Sequence, residues 1–316
     1  MSGCHMARSF LLVKKVRVAW EPREDPDMAD GGSPLVQRRR LRAELKKARQ
    51  ESGLTQEQVA SEMEWSLSKT IRIESASGGS GIRANDLKAL LQLYGVKDPE
   101  KVDSLLALAR VARERSWWSA YRDVAPASLL KLIEYESVAS AVQQFETIFI
   151  PGILQTEDYA RAVIQDFYDY RPGSETLRAL VELRTQREDL FDAENRPSFK
   201  FIIDEAVVRR LVGGSSVMRR QLRRLIEVAD KPKITVELIP FSAGLHPGMK
   251  GPFEIIDFAD PSDSDIVYVE SPRGDIFSED PEEALRYREA FDGLRKASLG
   301  PRDSLARIAR IADEMS

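Results

Sequence analysis

The apolar positions of this chain follow two different rhythms. From Leu41 to about residue 115 they recur at helical spacing. Leu41, Leu45 and Ala48 share a face of a first helix. Val59, Ala60 and Met63 mark a short second one, Thr70 and Ile73 the inner side of a third, and Leu87, Leu90, Leu91 and Tyr94 a fourth. A fifth runs from Pro99 to about Arg115 with Val102, Leu105, Leu106, Leu108 and Ala109. From residue 198 onward the rhythm shortens to alternation. Phe199, Phe201 and Ile203 predict one strand, and Ile234, Val236 and Leu238, interleaved with Thr235 and Glu237, predict another. Phe253–Phe258 and Ile266–Glu270 predict two more across the turn-rich DPSDSD, with helices at about 205–212 and 216–229. Between the two regimes an amphipathic helix is predicted through Leu130, Ile133, Val138, Ala141, Val142 and Phe145. It is followed by a break at Pro151-Gly152 and a restart capped by Thr156. The expected architecture is α+β: an all-α five-helix N-terminal domain, then a mixed α+β domain with at least four strands.

Start and stop signals set the boundaries. Residues 1–33 mix Pro, Gly and balanced charge and read as a disordered tail; residues 34–115 form the helical domain, 116–126 a junction and 127–316 the α+β domain. Organised sequence begins just after Met28, which makes Met28 an expected start; a disordered arm adding phosphate contacts is the other reading of the tail. Asn85 is expected to cap the fourth helix and Gly95 to end it. Trp117, Trp118 and Tyr121 at the junction are expected to pack on the second domain or on a partner subunit. Asp280-Pro281-Glu282-Glu283 is a helix start, and the last helix is apolar at Leu305, Ile308, Ile311, Ala312 and Met315.

The most specific chemistry lies between Leu41 and Gly79. Thr55 followed by Gln58 makes a capping box, Glu64-Trp65 a tight turn, and Ser66 the cap of a third helix whose outer positions are Leu67, Ser68, Lys69 and Arg72. A helix, a tight turn and a helix with a polar and basic outer face offer side chains to the DNA major groove. The segment resembles an Xre/Cro-repressor-type helix-turn-helix, on Arg49, Gly53, Leu54, Thr55, Gln56, Val59 and Ala60, then Ser66, Ser68, Thr70, Ile71, Arg72, Ile73 and Glu74. The resemblance implies that Gln56 touches backbone phosphate, that the helix exposing Ser66, Leu67, Ser68, Lys69 and Arg72 reads bases, and that Arg49 pairs with Glu74 as a structural clip. Three departures stand out. Glu64 occupies a turn position where Gly is common. Leu67 offers only apolar contact, of the kind a thymine methyl accepts. Thr70 replaces an aliphatic core residue.

Phrases of the second half, IPGILQTEDYA, DEAVVRRLVGG and VELIPFSAGLHPGMKGPFEIIDF among them, are similar to a large actinobacterial group. Its members join an Xre-type domain to a C-terminal domain of unknown function, often described as antitoxin-like. That resemblance spans roughly residues 34–316. It implies a transcriptional regulator whose C-terminal half receives a signal, with a small cognate protein encoded nearby as a possible partner.

Composition adjusts the picture. The 316 residues carry a net charge of −4, which by itself argues against a polyanionic ligand. Residues 34–97, however, hold 12 Lys/Arg against 7 Asp/Glu, or +5, while residues 98–316 hold 30 against 39, or −9. A basic head on an acidic body suits a protein that meets phosphate with one end. Arg38, Arg39, Arg40, Arg42, Lys46 and Lys47 on the first helix are either a solvated basic face or partly phosphate anchors. One cysteine, Cys4, excludes a disulfide framework and a Cys-rich zinc site and points to a reducing, cytoplasmic compartment; no apolar run reaches the length of a membrane span.

Catalytic patterns are absent from the sequence: no G-x-S-x-G, no H-E-x-x-H, no phosphate-cradling Gly loop, and in Asp204-Glu205 two neighbours that should point apart. No cofactor or metal is implied, and an enzyme is not expected. In the second domain, His246 and Lys250 in HPGMKG are either a sensor loop or an ordinary long hairpin loop. Arg184 and Arg187 either receive an anion or acidic partner or pair with Glu182 and Glu188. The expectation is a homodimer on a pseudo-palindromic operator in double-stranded DNA, its C-terminal domain dimerising, sensing, or both. The alternative is an antitoxin-like interaction module that binds a small protein, with DNA binding secondary.

Overall fold

A computed structural model describes residues 34–74, 82–112, 116–167, 171–193, 196–259, 263–271 and 274–315. The expected tail, the glycine loop after the third helix and the end of the fifth lie outside the described residues.

The head is helical. Helix α1 spans Pro34–Glu51, α2 Gln56–Glu62, α3 Leu67–Glu74, α4 Ala84–Leu93 and α5 Pro99–Val111. They enclose one apolar cluster of Leu41, Leu45, Ala48, Val59, Ile82, Leu87, Leu90, Leu91, Tyr94, Leu105 and Ala109, so the residues at helical spacing are the core. Asp98 caps α5 by accepting the Glu100 N–H at 3.1 Å, with Pro99 in the first turn where no donor is needed. The expected cap at Asn85 is corrected: Arg83 holds the N-cap position and gives no side-chain cap, which leaves Asn85 inside the first turn. Gly95, at φ 74, ends the fourth helix as expected.

The body is a six-stranded mixed sheet with helices on both faces, which makes the whole chain α+β as expected. In chain order come α6 (Ala127–Glu136), β1 (Ala141–Glu146), α7 (Glu157–Ala162), α8 (Glu175–Gln186), β2 (Ser198–Asp204), α9 (Glu205–Arg209), α10 (Ser215–Ala229) and β3 (Ile234–Ile239). Then follow β4 (Phe253–Asp257), β5 (Ile266–Val269), β6 (Ile276–Ser278), α11 (Pro281–Ala297) and α12 (Pro301–Glu314). The strand order is β3-β2-β1-β4-β5-β6, parallel among the first three and antiparallel from β1 to β6. On one face Val142, Phe199, Phe201, Ile203, Val236 and Ile256 pack against α10 and α12 through Met218, Leu222, Leu225, Ile308 and Ile311. On the other, Phe145, Ile202, Ile239, Phe253 and Ile255 meet Phe291 and Leu294 of α11.

One expectation is overturned here. The helix predicted through Phe145 stops at Glu136, and Ala141–Glu146 is β1, a central strand. Val138, Val142 and Phe145 imitate a helical stripe because a strand covered on both faces lacks clean alternation. The three-residue β6 was also not expected.

At the junction, Trp118 and Tyr121 pack on a small cluster containing Ile133, Leu177, Leu180 and Val181. Trp117 stays 37% exposed, edge-on to Trp118 at 5.6 Å.

Candidate nucleic-acid interface

Helices α2 and α3 of the head are joined by local chemistry. Thr55 Oγ1 accepts the Gln58 N–H at 3.2 Å, and Gln58 Oε1 accepts the Thr55 N–H at 2.8 Å, so two donors of the first turn are satisfied reciprocally. The chain reverses at Glu64, held in the left-handed region at φ 53, where a side chain costs about 1 kcal/mol relative to glycine. The Trp65 N–H then closes on the Ala60 carbonyl at 2.8 Å, and Ser66 Oγ caps α3 by accepting the Lys69 N–H at 3.2 Å.

Helix α3 is anchored on one side only. Thr70 is buried and Ile73 half-buried against the head core, while Ser66, Leu67, Ser68, Ile71 and Arg72 face solvent. The side chains of Ser68 and Arg72 make no hydrogen bond or ion pair among the described residues and stand exposed. Lys69 lies to the side, its ammonium 3.6 Å from the Trp65 ring centroid and 3.0 Å from Asp86 Oδ2 on α4. Ile71 was not among the sequence candidates, although two exposed aliphatic residues four apart on a short helix were the available signal.

The outer end of α3 is clamped. Arg49 Nε donates to Glu74 Oε1 at 2.8 Å and to Oε2 at 3.0 Å, and its Nη1 donates to the Leu54 carbonyl at 2.8 Å. This is the pair implied by the resemblance. Hydrogen bonding to Glu74 raises the Arg49 pKa further above its ordinary value. Burial, with the Glu74 charge beside it, pushes the Tyr94 phenol up as well. Gln56 Nε2 also donates to Glu74 Oε2, at 2.8 Å. The side chain expected on phosphate is therefore engaged within the head.

Of the basic residues on α1, Arg40, Lys46 and Lys47 are exposed. Arg38 is committed to the body, with Nη1 2.6 Å from Glu134 Oε1 on α6 and Nε 2.7 Å from the Ala112 carbonyl. The side chain of Arg39 lies outside the described residues.

The candidates of the second domain separate. Arg187 is buried and forms a bidentate pair with Glu136, at 2.5 and 3.1 Å; neither Glu182 nor Glu188 is its partner. Glu188 instead meets Arg224 at 3.1 Å. Arg184 Nη1 donates to Gln155 Oε1 at 2.7 Å. His246 is buried, its Nε2 3.4 Å from Asp204 Oδ2 and its ring edge-on to Phe145, whereas Lys250 is exposed. The loop is thus drawn inward at His246 while Leu245 (92% exposed), Phe241 and Met249 (60% each) point outward. Asp204 and Glu205 do point apart: Asp204 caps α9 through the Ala206 N–H at 2.8 Å, and Glu205 accepts from Arg209 and Arg307 at 2.7 and 2.9 Å.

A group of carboxylates on the α10-side face of the sheet was not foreseen. Glu254 pairs in register with Gln144 and Tyr268, is 1% exposed, and has no hydrogen-bond partner at either oxygen among the described residues. Burial and the neighbouring Glu136 carboxylate hold it well above the usual carboxylate range, against the pull of Arg187. Glu146 is pushed up to about 8 by burial and by Glu270, opposed by Gln144, whose Nε2 donates to it at 2.9 Å. Among the described residues no group of His, Cys, Asp and Glu is arranged to hold a metal ion, and no helix is long and apolar enough to cross a membrane.

These features define a helix-turn-helix DNA-binding head joined to an α+β body. Comparison with known families agrees: residues 40–105 match a helix-turn-helix domain, and residues 129–310 match a domain of unknown function, DUF5753. The second match covers more than half of the chain, which belongs to that family. No curated protein and no solved structure matches it.

Proposed function

We propose that the protein is a sequence-specific transcriptional regulator of the Xre/Cro type. In this reading α3 enters the major groove, and Ser68, Arg72 and Leu67 meet base edges there while Lys46 and Lys47 lie near phosphates. The protein works in the cytoplasm as a homodimer on a pseudo-palindromic operator, and the body receives the signal, a ligand or a small neighbouring protein. It has no catalytic role. The observation that carries the reading is the clamped recognition helix: Arg49 holds its end at 2.8 Å, and its outer face is left open to solvent.

Selection of bound sequences from random duplex DNA by the purified protein tests it. A single enriched, two-fold-symmetric motif is expected. Arg72→Ala should then weaken binding to that motif by about 10- to 100-fold while nonspecific binding changes less. Absence of any enriched motif would defeat the reading. One observation favours the antitoxin-like alternative: the outward Phe241, Leu245 and Met249 on one loop offer an apolar contact to a protein. Nanomolar capture of the neighbouring small protein, together with purely nonspecific DNA binding, would make that alternative the function.

A further inference from the structure

We propose that Leu67 and Ile71 form an apolar ridge with which the recognition helix reads thymine C5-methyl groups; this rests on the DNA-binding role of α3. The two residues are 40% and 43% exposed, and four positions apart they stand one above the other on the same side of the helix. The polar side chains around them are largely spoken for. Ser66 Oγ holds the Lys69 N–H, Gln56 holds Glu74, and the Lys69 ammonium lies between the Trp65 ring and Asp86. What α3 presents outward is therefore a polar strip, Ser68 and Arg72, flanked by this aliphatic one.

The thymine methyl is the one apolar group on the major-groove edge of a base pair, so it is the surface that two branched aliphatic side chains can bury there. Side chains four apart on a helix stand about 5–6 Å from each other. Successive bases of one strand rise by about 3.4 Å, so the ridge spans about two base steps. Each half-site should then hold one or two thymines beneath it, adjacent or one step apart. Arg72 and Ser68 supply hydrogen bonds beside them.

The test uses the full-length protein and its selected operator. Each thymine is replaced singly by deoxyuridine, which removes the methyl and keeps every hydrogen-bonding group. One or two positions per half-site should lose about four-fold in affinity each, the worth of one buried methyl. With Ile71→Ala or Leu67→Ala those same positions should become insensitive to the replacement, and the exposed variants Ile71→Ser and Leu67→Ser should behave alike. An operator bound specifically but indifferent to uracil at every position, or variants as uracil-sensitive as the wild type, would overturn the ridge while leaving DNA binding intact. Failure to enrich any operator overturns both.

Discussion

Arg49, in the last turn of α1, and Glu74, the last residue of α3, are joined by two hydrogen bonds at 2.8 and 3.0 Å, with the carboxylate side chain only 4% exposed. The pair ties the end of α3 to the last turn of α1. Losing Arg49 strips the buried Glu74 carboxylate of its cation and leaves it neutral neighbours such as Gln56 and Tyr94. Arg49→Met should therefore cost about 2–4 kcal/mol of head stability and reduce operator affinity, although Arg49 touches no base. Chemical denaturation followed by circular dichroism measures the first and a binding titration the second. An unchanged midpoint would remove the clamp from the account.

Thr70 sits in the head core at 2% exposure, and its hydroxyl has no hydrogen-bond partner among the described residues. Thr70→Val keeps the branched shape and removes the unsatisfied oxygen. A gain of about 1 kcal/mol is expected, with DNA affinity unchanged because the residue faces inward. Thermal unfolding reads it, and a lower midpoint would mean that the hydroxyl does find a partner.

Gly248 touches the centre of the sheet. A Cβ at that position would stand 2.1 Å from Cε1 of Phe145, a side chain that is itself fully buried. Gly248→Ala should destabilise the body by about 1–3 kcal/mol through overpacking. Adding Phe145→Leu should return part of that loss if the clash is the cause, and a double-mutant cycle measures the coupling.

Glu146 and Glu254 set a pH dependence whose sign follows from their raised values. Glu146 titrates near 4.5 unfolded and about 8 folded, so between these the folded state holds the extra proton. Stability is fully present below the unfolded value and is lost as pH rises through the folded one. Unfolding midpoints should fall from about pH 5 to pH 8, and Glu146→Gln should flatten that fall. Equal slopes for the two proteins would show that Glu146 is ionised in the fold. Glu254, also raised by burial and by the Glu136 carboxylate, adds to the trend in the same direction.

The readable parts of the sequence were those governed by near neighbours. The capping box of Thr55 and Gln58, the cap at Ser66 and the helix start at Asp280-Pro281 involve groups within three residues of each other, and all are present. The strands at 198–204 and 234–239 were legible because apolar and polar residues alternate there. The strand at 141–146 was not. Its middle position in the sheet covers both faces, and Gln144 is buried opposite Glu254 of β4.

Local order thus settled the caps at Thr55, Ser66 and Asp280, the turn at Glu64 and the helical cores, since each depends on spacing along the chain and on steric limits at single residues. Partners distant in sequence were decided by folding alone. Arg187 found Glu136, 51 positions away, and Arg38 found Glu134, 96 away. Register placed Glu254 between Gln144 and Tyr268, and the Trp65 ring with Asp86 drew Lys69 aside from the solvent-facing strip of α3. A charged side chain lowers its energy with whichever counter-charge or donor the tertiary fold brings within about 3 Å, and spacing along the chain carries no record of that choice.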